Sequence, residues 1–177
     1  MTPATYPWYE ILSGEELGQG DILEACPVYL PPEELAGSDT LSPFFEFEDR
    51  DIIVMSQSCD LVEGREKVSQ VVVCPLWQLS DFSQGHLSSP RGREEVRRGN
   101  LPSHHLLAEC EFPGFQRGLR IVDFRELFSL PLGYTRKRAG LCSERLRLLP
   151  PYREHLAQAF ARYFMRIGLP LDIPPFR

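Results

Sequence analysis

Two short runs of almost continuous β-branched and apolar residues constrain the fold of this chain more than any other feature. The first, at 51–56, reads Asp-Ile-Ile-Val-Met-Ser, and the second, at 70–76, reads Gln-Val-Val-Val-Cys-Pro-Leu. Strands that are apolar at successive positions are covered on both faces in folded proteins. The two runs therefore predict central strands of a buried sheet, and Pro75 is predicted to end the pairing of the second.

Weaker patterns predict the elements around these strands. Residues 9–17 favour a short helix or turn, and 80–103, rich in Ser, Gly and Pro, favour a mobile excursion with one helical turn. Further strand patterns, including the two arms of a hairpin with its turn at 112–118, lie at 21–26, 28–30, 44–48, 106–110 and 119–124, the last continuing with a bend to Leu130.

A helix is the clearest prediction for the C-terminal part. Apolar residues recur there at helical spacing after Pro150 and Pro151, and Gly168 marks an end. The stripe consists of Leu156, Phe160, Tyr163, Phe164 and Ile167.

The order of these patterns predicts one domain over 1–177. It is mainly β with C-terminal α, a small barrel-like sheet over 18–130 that is capped by one or two helices within 141–168.

The composition is that of an ordinary globular protein. The chain is 42% apolar and 25% charged, and no run approaches the ~20 apolar residues of a membrane span. No secretory leader is visible at the N-terminus, and the five cysteines include no C-x-x-C pair. We therefore expect a reduced, cytoplasmic protein that does not enter a membrane.

Charge is distributed unevenly along the chain. Residues 1–116 hold 7 Lys and Arg against 20 Asp and Glu, whereas 117–177 hold 12 against 5. Such asymmetry marks a surface for nucleic acid or an acidic partner, or two parts that pack together and neutralise each other. The run Arg136, Lys137 and Arg138 is suited to a phosphate backbone, with Trp77 stacking a base, but it equally fits a solvated loop.

A set of short motifs follows one order along the chain. Gly-Asp-Ile at 20–22 opens the first strand, Arg50 and Ser56 are six residues apart, and the second apolar run ends in Cys-Pro-Leu. An arm ending at 123–127 and the C-terminal helix come next. In these motifs the chain resembles the MazF/PemK toxin family. The resemblance implies an SH3-like β-barrel, a homodimer, and metal-independent cleavage of single-stranded RNA with Arg50 as the phosphate contact.

Two positions depart from the family pattern. Asp51 stands where the family has a proline after the arginine, and Trp77 stands where it has a hydroxyl residue. An indole can neither take the proton of a 2′-hydroxyl nor stabilise charge on a phosphate. With these departures, the resemblance implies a catalytically silent binding or interaction module of a prokaryotic toxin or defence system. Its partner would be a protein or single-stranded RNA, and no cofactor is implied. The alternative is an endoribonuclease that uses Arg50 with Ser56.

Polar residues follow the first apolar run at 56–60, where a strand end would present a functional group. We predict that these residues line the site with Arg50: Ser56, Gln57, Ser58, Cys59 and Asp60. A second alternative is a thiol or zinc enzyme centred on Cys59, and a simple strand-end turn also fits. The histidines that could assist Cys59 are His86, His104, His105 and His155. His104 and His105 with Cys110 lack the paired spacing of zinc ligands, so no metal site is predicted.

Overall fold

The computed structural model of the chain describes residues 7–30 and 46–165. The protein is mainly β, with a helix at the C-terminal end of the described part. Its strands are β1 (Tyr9–Leu12), β2 (Ile22–Leu30), β3 (Glu46–Val54), β4 (Gln70–Gln78), β5 (His104–Leu107), β6 (Cys110–Phe112), β7 (Phe115–Arg117), β8 (Arg120–Asp123), β9 (Phe128–Pro131) and β10 (Arg145–Leu148). Its α-helices are α1 (Pro90–Arg97), α2 (Leu132–Leu141) and α3 (Tyr152–Phe164).

The two apolar runs form the centre of the main sheet, as predicted. The strand order is β2-β3-β4-β8-β5, and β9 also pairs with β4. Successive side chains of β3 and β4 enter different apolar clusters: Ile53 and Cys74 pack in one, whereas Ile52 and Val73 pack in the other. Because both faces of the sheet are buried at 52–54 and 71–76, these stretches are apolar at every position rather than at every second one.

Pro75 does not end β4, contrary to the sequence prediction. It lies opposite Ile52 of β3, and the strand continues to Gln78. On the other edge of β4, β9 pairs with residues up to Val73 and β8 pairs from Leu76 onward. Pro75 thus falls in the gap between these two pairings, where the amide hydrogen that it lacks is not needed.

Several local predictions were wrong because a distant segment decides the structure. Residues 9–12 form β1, not a helix or turn, because they pair with β10. The part expected to be helical from residue 141 contains β10, and α2 begins earlier, at Leu132. Strand β3 runs without a break from Glu46 to Val54, whereas two separate strands were expected. The end of the C-terminal apolar stripe, Ile167, and Gly168 lie outside the described residues.

The segment 80–103 contains α1, which is longer than the single turn expected. Ser89 begins the helix, because its hydroxyl accepts a hydrogen bond from Gly92 N at 3.0 Å, and Pro90 follows at the first helical position. Gly92 is required there, since a Cβ would lie 1.9 Å from the carbonyl oxygen of His86. Val96 then packs with Ile121 of β8.

The predicted hairpin is confirmed in the antiparallel pairing of β5 with β8. Its turn contains a further small hairpin, β6 with β7, which the sequence analysis missed. The ten strands do not close into a barrel within the described residues, where β1–β10 and β6–β7 are separate two-stranded sheets. None of the helices described is long and apolar enough to cross a membrane.

Candidate binding site around Arg50 and Cys59

A buried ion cluster fixes the loop that precedes β2. Asp21 is fully buried and accepts hydrogen bonds from Gly18 N at 3.1 Å and from Arg145 Nε at 3.2 Å. Arg147, which like Arg145 belongs to β10, donates to both oxygens of the same carboxylate. The Gly-Asp pair of the sequence motif therefore has a structural role, because it joins this loop to β10. A buried carboxylate needs such cationic and amide partners to remain charged.

This loop also positions the polar segment after β3. Gln19 is buried, its backbone N donates to Ser58 Oγ at 2.9 Å, and its side-chain amide donates to the carbonyl of Met55 at 3.0 Å. Residues Ser58–Asp60 form one 3-10 turn. Ser56 lies before that turn and its hydroxyl accepts a hydrogen bond from Val72 N at 2.8 Å. The turn is thus held from both sides.

A cleft of about 360 Å³ opens between this turn and α3. Three of the predicted site residues line it: Gln57, Ser58 and Cys59. The sequence analysis did not single out the other lining residues, which are Gln19 beside the turn and, on α3, Arg153, Glu154, Ala157 and Gln158. Only the helical spacing of the last four could have suggested that they share a face of α3.

Cys59 is exposed at the edge of this cleft. Its Sγ lies 3.5 Å from Asp60 Oδ1, and Lys67 forms an ion pair with the same Asp60 oxygen at 3.2 Å. No histidine is among the described residues that line the cleft. A nucleophilic thiol requires a base within hydrogen-bond reach, so the lining does not supply the partner that a thiol enzyme would use.

Arg50 lies on β3 within a cage of carboxylates and aromatic rings. Its guanidinium donates to Glu48 Oε2 at 2.7 and 2.9 Å and to Glu126 Oε2 at 2.5 Å. The rings of Trp77 and Phe128 have their centroids 5.5 and 5.4 Å from its Cζ atom. Only 17% of the side chain is exposed. The cation is therefore paired on its polar edge and stacked on its faces.

The electrostatics of this cage follow from the same contacts. Burial lowers the pKa of Arg50, but the hydrogen bonds to Glu48 and Glu126 outweigh burial, so the pKa lies above its ordinary value. Trp77, predicted as a stacking platform for a base, instead has the Arg50 guanidinium against its ring. Arg50 does not line the Cys59 cleft. The structure thus separates two parts of the predicted site.

The basic run lies on α2 rather than in a loop, and its three side chains differ in their surroundings. Arg136 donates to Glu66 at 2.7 Å and to the carbonyl of Leu61 at 2.8 Å, so it holds the loop after the 3-10 turn. Arg138 donates to the carbonyl of Ala25 at 3.0 Å. Lys137 is exposed. Consecutive helical positions point in different directions, so the run does not form one continuous cationic stripe.

The residues weighed as zinc ligands are engaged elsewhere. His104 is buried, its Nδ1 lies 2.8 Å from Ser103 Oγ, and its Nε2 lies 3.5 Å from Asp123 Oδ2. Cys110 is buried in an apolar cluster. Across 7–30 and 46–165, no group of three or more His, Cys, Asp or Glu residues is arranged to hold a metal ion.

The chain was compared with protein-family models and with curated proteins. Neither a protein-family model nor a curated protein matches the chain.

Proposed function

We propose that the protein is a binding module without nuclease activity, built on an SH3-like β-barrel scaffold. The observation that supports this proposal is the cage around Arg50, in which Glu48 and Glu126 neutralise the cation expected to contact phosphate. An RNA phosphate would have to displace two carboxylates and would then lie beside them. Such repulsion opposes the charge stabilisation that phosphodiester cleavage requires.

The distance along β3 also argues against catalysis by Arg50 with Ser56. At a rise of about 3.3 Å per residue, the Cα atoms of Arg50 and Val54 are roughly 13 Å apart, and Ser56 lies two residues further on. A group that assists proton transfer must lie within hydrogen-bond reach of the reacting atom. The Ser56 hydroxyl, which accepts from Val72 N, serves to hold the strand end instead.

The proposed barrel is supported by the bending of β2. The pairing of β2 with β3 shifts between Leu23 and Cys26, and Ala25 adopts a φ of 47° at this irregularity. Bulges of this kind bend strands and are used where a sheet curls toward closure.

The binding site that we propose at this end of the molecule is the cleft beside Cys59. Its volume of about 360 Å³ is at the lower end of the range of small-molecule sites. Amides, hydroxyls and a thiol line it, together with the neighbouring charges of Arg153 and Glu154. These groups favour recognition of a small polar ligand or of a polar side chain of a partner protein.

A cleavage assay tests the proposal. Purified protein is incubated with single-stranded RNA in the presence of a chelator, beside Arg50→Ala and the matched control Arg65→Ala, an exposed arginine outside both the cage and the cleft. We expect intact RNA with all three proteins.

Fragments produced by the wild type and by Arg65→Ala, but not by Arg50→Ala, would overturn the proposal and establish the endoribonuclease alternative.

A further inference from the structure

A second and larger groove adjoins the Cys59 cleft across α3, where Gln158 lines both. Its volume is about 960 Å³, and it lies between the C-terminal end of α1 and the side of α3. Strand β5 crosses its floor, where His104, His105 and Leu106 all line the groove. The Trp8 ring is stacked on Tyr152 of α3 at a centroid distance of 3.7 Å, and both residues line one wall.

The strand on this floor has an unpaired edge. β5 is the last strand in the order β2-β3-β4-β8-β5, and β8 is its only strand partner within the part of the chain that the structure describes. An edge strand presents backbone N–H and C=O groups that can pair with an added strand. Proteins usually block such edges with charged side chains or cover them, yet β5 carries no Lys, Arg, Asp or Glu. The open edge therefore favours strand addition.

The rims of the groove are positively charged. Arg97 and Arg98 lie on the α1 side and Arg162 on the α3 side, and no Asp or Glu is among the described lining residues. Arg97 and Arg98 share a single carboxylate, Glu94, so a net positive charge remains on the α1 rim. Arg162 is exposed and forms no ion pair with a described carboxylate.

The charge near the groove affects the pKa of His105 on β5. Burial is the main cause that lowers the pKa of His105 to about 4, and electrostatic interactions with His155 and Arg162 add to it. Asp123, on the neighbouring strand, pairs with His104 and Arg125 and so does not compensate the rim arginines. A ligand with carboxylates would find one positive charge in excess of Glu94 on the α1 side and Arg162 on the α3 side.

We infer that this groove binds an extended acidic segment of a partner protein, which adds to the free edge of β5 as a further strand. Side chains of an added strand alternate between the α1 and α3 walls. Apolar ones contact groove residues such as Leu106 and Leu119, and carboxylates approach Arg97, Arg98 and Arg162. The inference rests on the proposed function, because it supplies the partner that a binding module requires.

A protein strand fits the groove better than a nucleic acid does. Strand β5 is four residues long, and His104 N already donates to the carbonyl of Leu101 at 3.0 Å. The groups available to an added strand therefore lie beyond that amide, and RNA has no backbone amides to pair with them. Apolar residues of α1, β5 and α3 line the groove together with the arginines, among them Val96, Leu106 and Ala159. Alternating apolar and acidic residues satisfy both kinds of lining.

Fluorescence anisotropy with defined probes tests this inference. The probes are a labelled peptide that alternates valine and glutamate, a matched peptide with lysine in place of glutamate, and a labelled oligouridylate. The full chain is compared with Arg162→Glu and with Arg91→Glu, which makes the same charge change on α1 at a position outside the groove. Circular dichroism checks that both variants fold.

We expect the acidic peptide alone to bind. Because Arg162→Glu places a like charge opposite the carboxylates of the peptide, it is expected to weaken binding by about tenfold or more, whereas Arg91→Glu changes it little. Hydrogen exchange at the amides of β5 should slow when the peptide is bound.

The inference would be overturned if the acidic peptide did not bind, or if the lysine peptide bound equally well. It would also be overturned if oligouridylate bound more strongly, or if Arg162→Glu left the affinity for the acidic peptide unchanged. None of these outcomes bears on RNA cleavage, which is measured separately, so failure of this inference is distinguishable from failure of the proposed function.

Discussion

At the scale of single residues, Arg50 is a structural cation. Two carboxylates bind its guanidinium and two aromatic rings flank it, and Glu126 lies far away in sequence from Glu48. These contacts join β3 to the segment between β8 and β9. The carboxylates are about half exposed, with 56% and 44% of their side chains accessible, so solvent screens each ion pair. The aromatic contacts are less affected by solvent, because Trp77 is partly buried.

Arg50→Ala therefore tests the structural role by itself. We expect the free energy of unfolding to fall by about 1–2 kcal/mol, from the lost ion pairs and cation–π contacts. Urea denaturation measures this change, with Arg65→Ala as the control that should lie within about 0.5 kcal/mol of the wild type. Equal stability of the two variants would show that the cage contributes nothing to folding.

The sequence could indicate only half of this cage. Glu48 is two residues before Arg50, so both side chains lie on the same face of a strand, and this neighbour was visible in the sequence. Phe128 lies near Arg50 because β9 pairs with β4, and Glu126 lies near it in the segment just before β9. Such contacts depend on tertiary structure, and no local pattern predicts them.

At the scale of elements, the loop before β2 connects three parts of the molecule. Asp21 binds the arginines of β10, Gln19 binds the turn after β3, and Gly20 N donates to the carbonyl of Val54 at 2.8 Å. Gly20 adopts a φ of 87°, and a Cβ at this position would lie 3.0 Å from Leu148 Cβ. Only glycine combines this backbone conformation with so close an approach.

We predict that Gly20→Ala destabilises the protein by about 2 kcal/mol or more, because left-handed strain adds to the contact with Leu148. The control is Gly133→Ala in α2, where nothing lies within 4 Å of the new Cβ. That change should be neutral or stabilising by up to about 1 kcal/mol. Thermal unfolding measures both, and a Gly20→Ala variant as stable as Gly133→Ala would contradict this account of the loop.

Sequence patterns predicted the strands that are buried on both faces and the helix whose apolar residues recur at a regular spacing. The runs in β3 and β4 and the stripe of α3 belong to this group. Strands β1 and β10 were missed, since each consists of four residues and the partner lies more than a hundred residues away. Short strands carry little periodicity, so their partner rather than their own sequence determines them.

At the scale of the whole molecule, the acidic and basic parts of the chain largely neutralise each other. Arg117 and Arg120 bind Glu24, and Arg147 binds Asp21, so ion pairs connect residues before 117 with residues from 117 onward. This was one of the two interpretations that the charge distribution left open. Positive charge in excess lies instead along the groove between α1 and α3, where Arg97 and Arg98 share Glu94 and Arg162 forms no ion pair with a described carboxylate.

The Cys59 cleft and this groove use different sides of α3. Arg153, Glu154 and Ala157 line the cleft, whereas His155 and Arg162 line the groove. Gln158 lines both. A single helix thus forms a wall of two surfaces, which explains why its polar residues cannot be assigned to one site from the sequence.

The central claim is that the protein binds without using Arg50 as a phosphate contact. The most direct measurement is a titration of isotopically labelled protein with oligouridylate, read by NMR at the Nε–H group of Arg50 and at all backbone amides. We predict that the Arg50 signal does not move, because Nε–H keeps its hydrogen bond to Glu48 Oε2 while Glu48 and Glu126 hold the other two nitrogens. A saturable shift of that signal, together with the amides around Trp77 and Phe128, would contradict the claim.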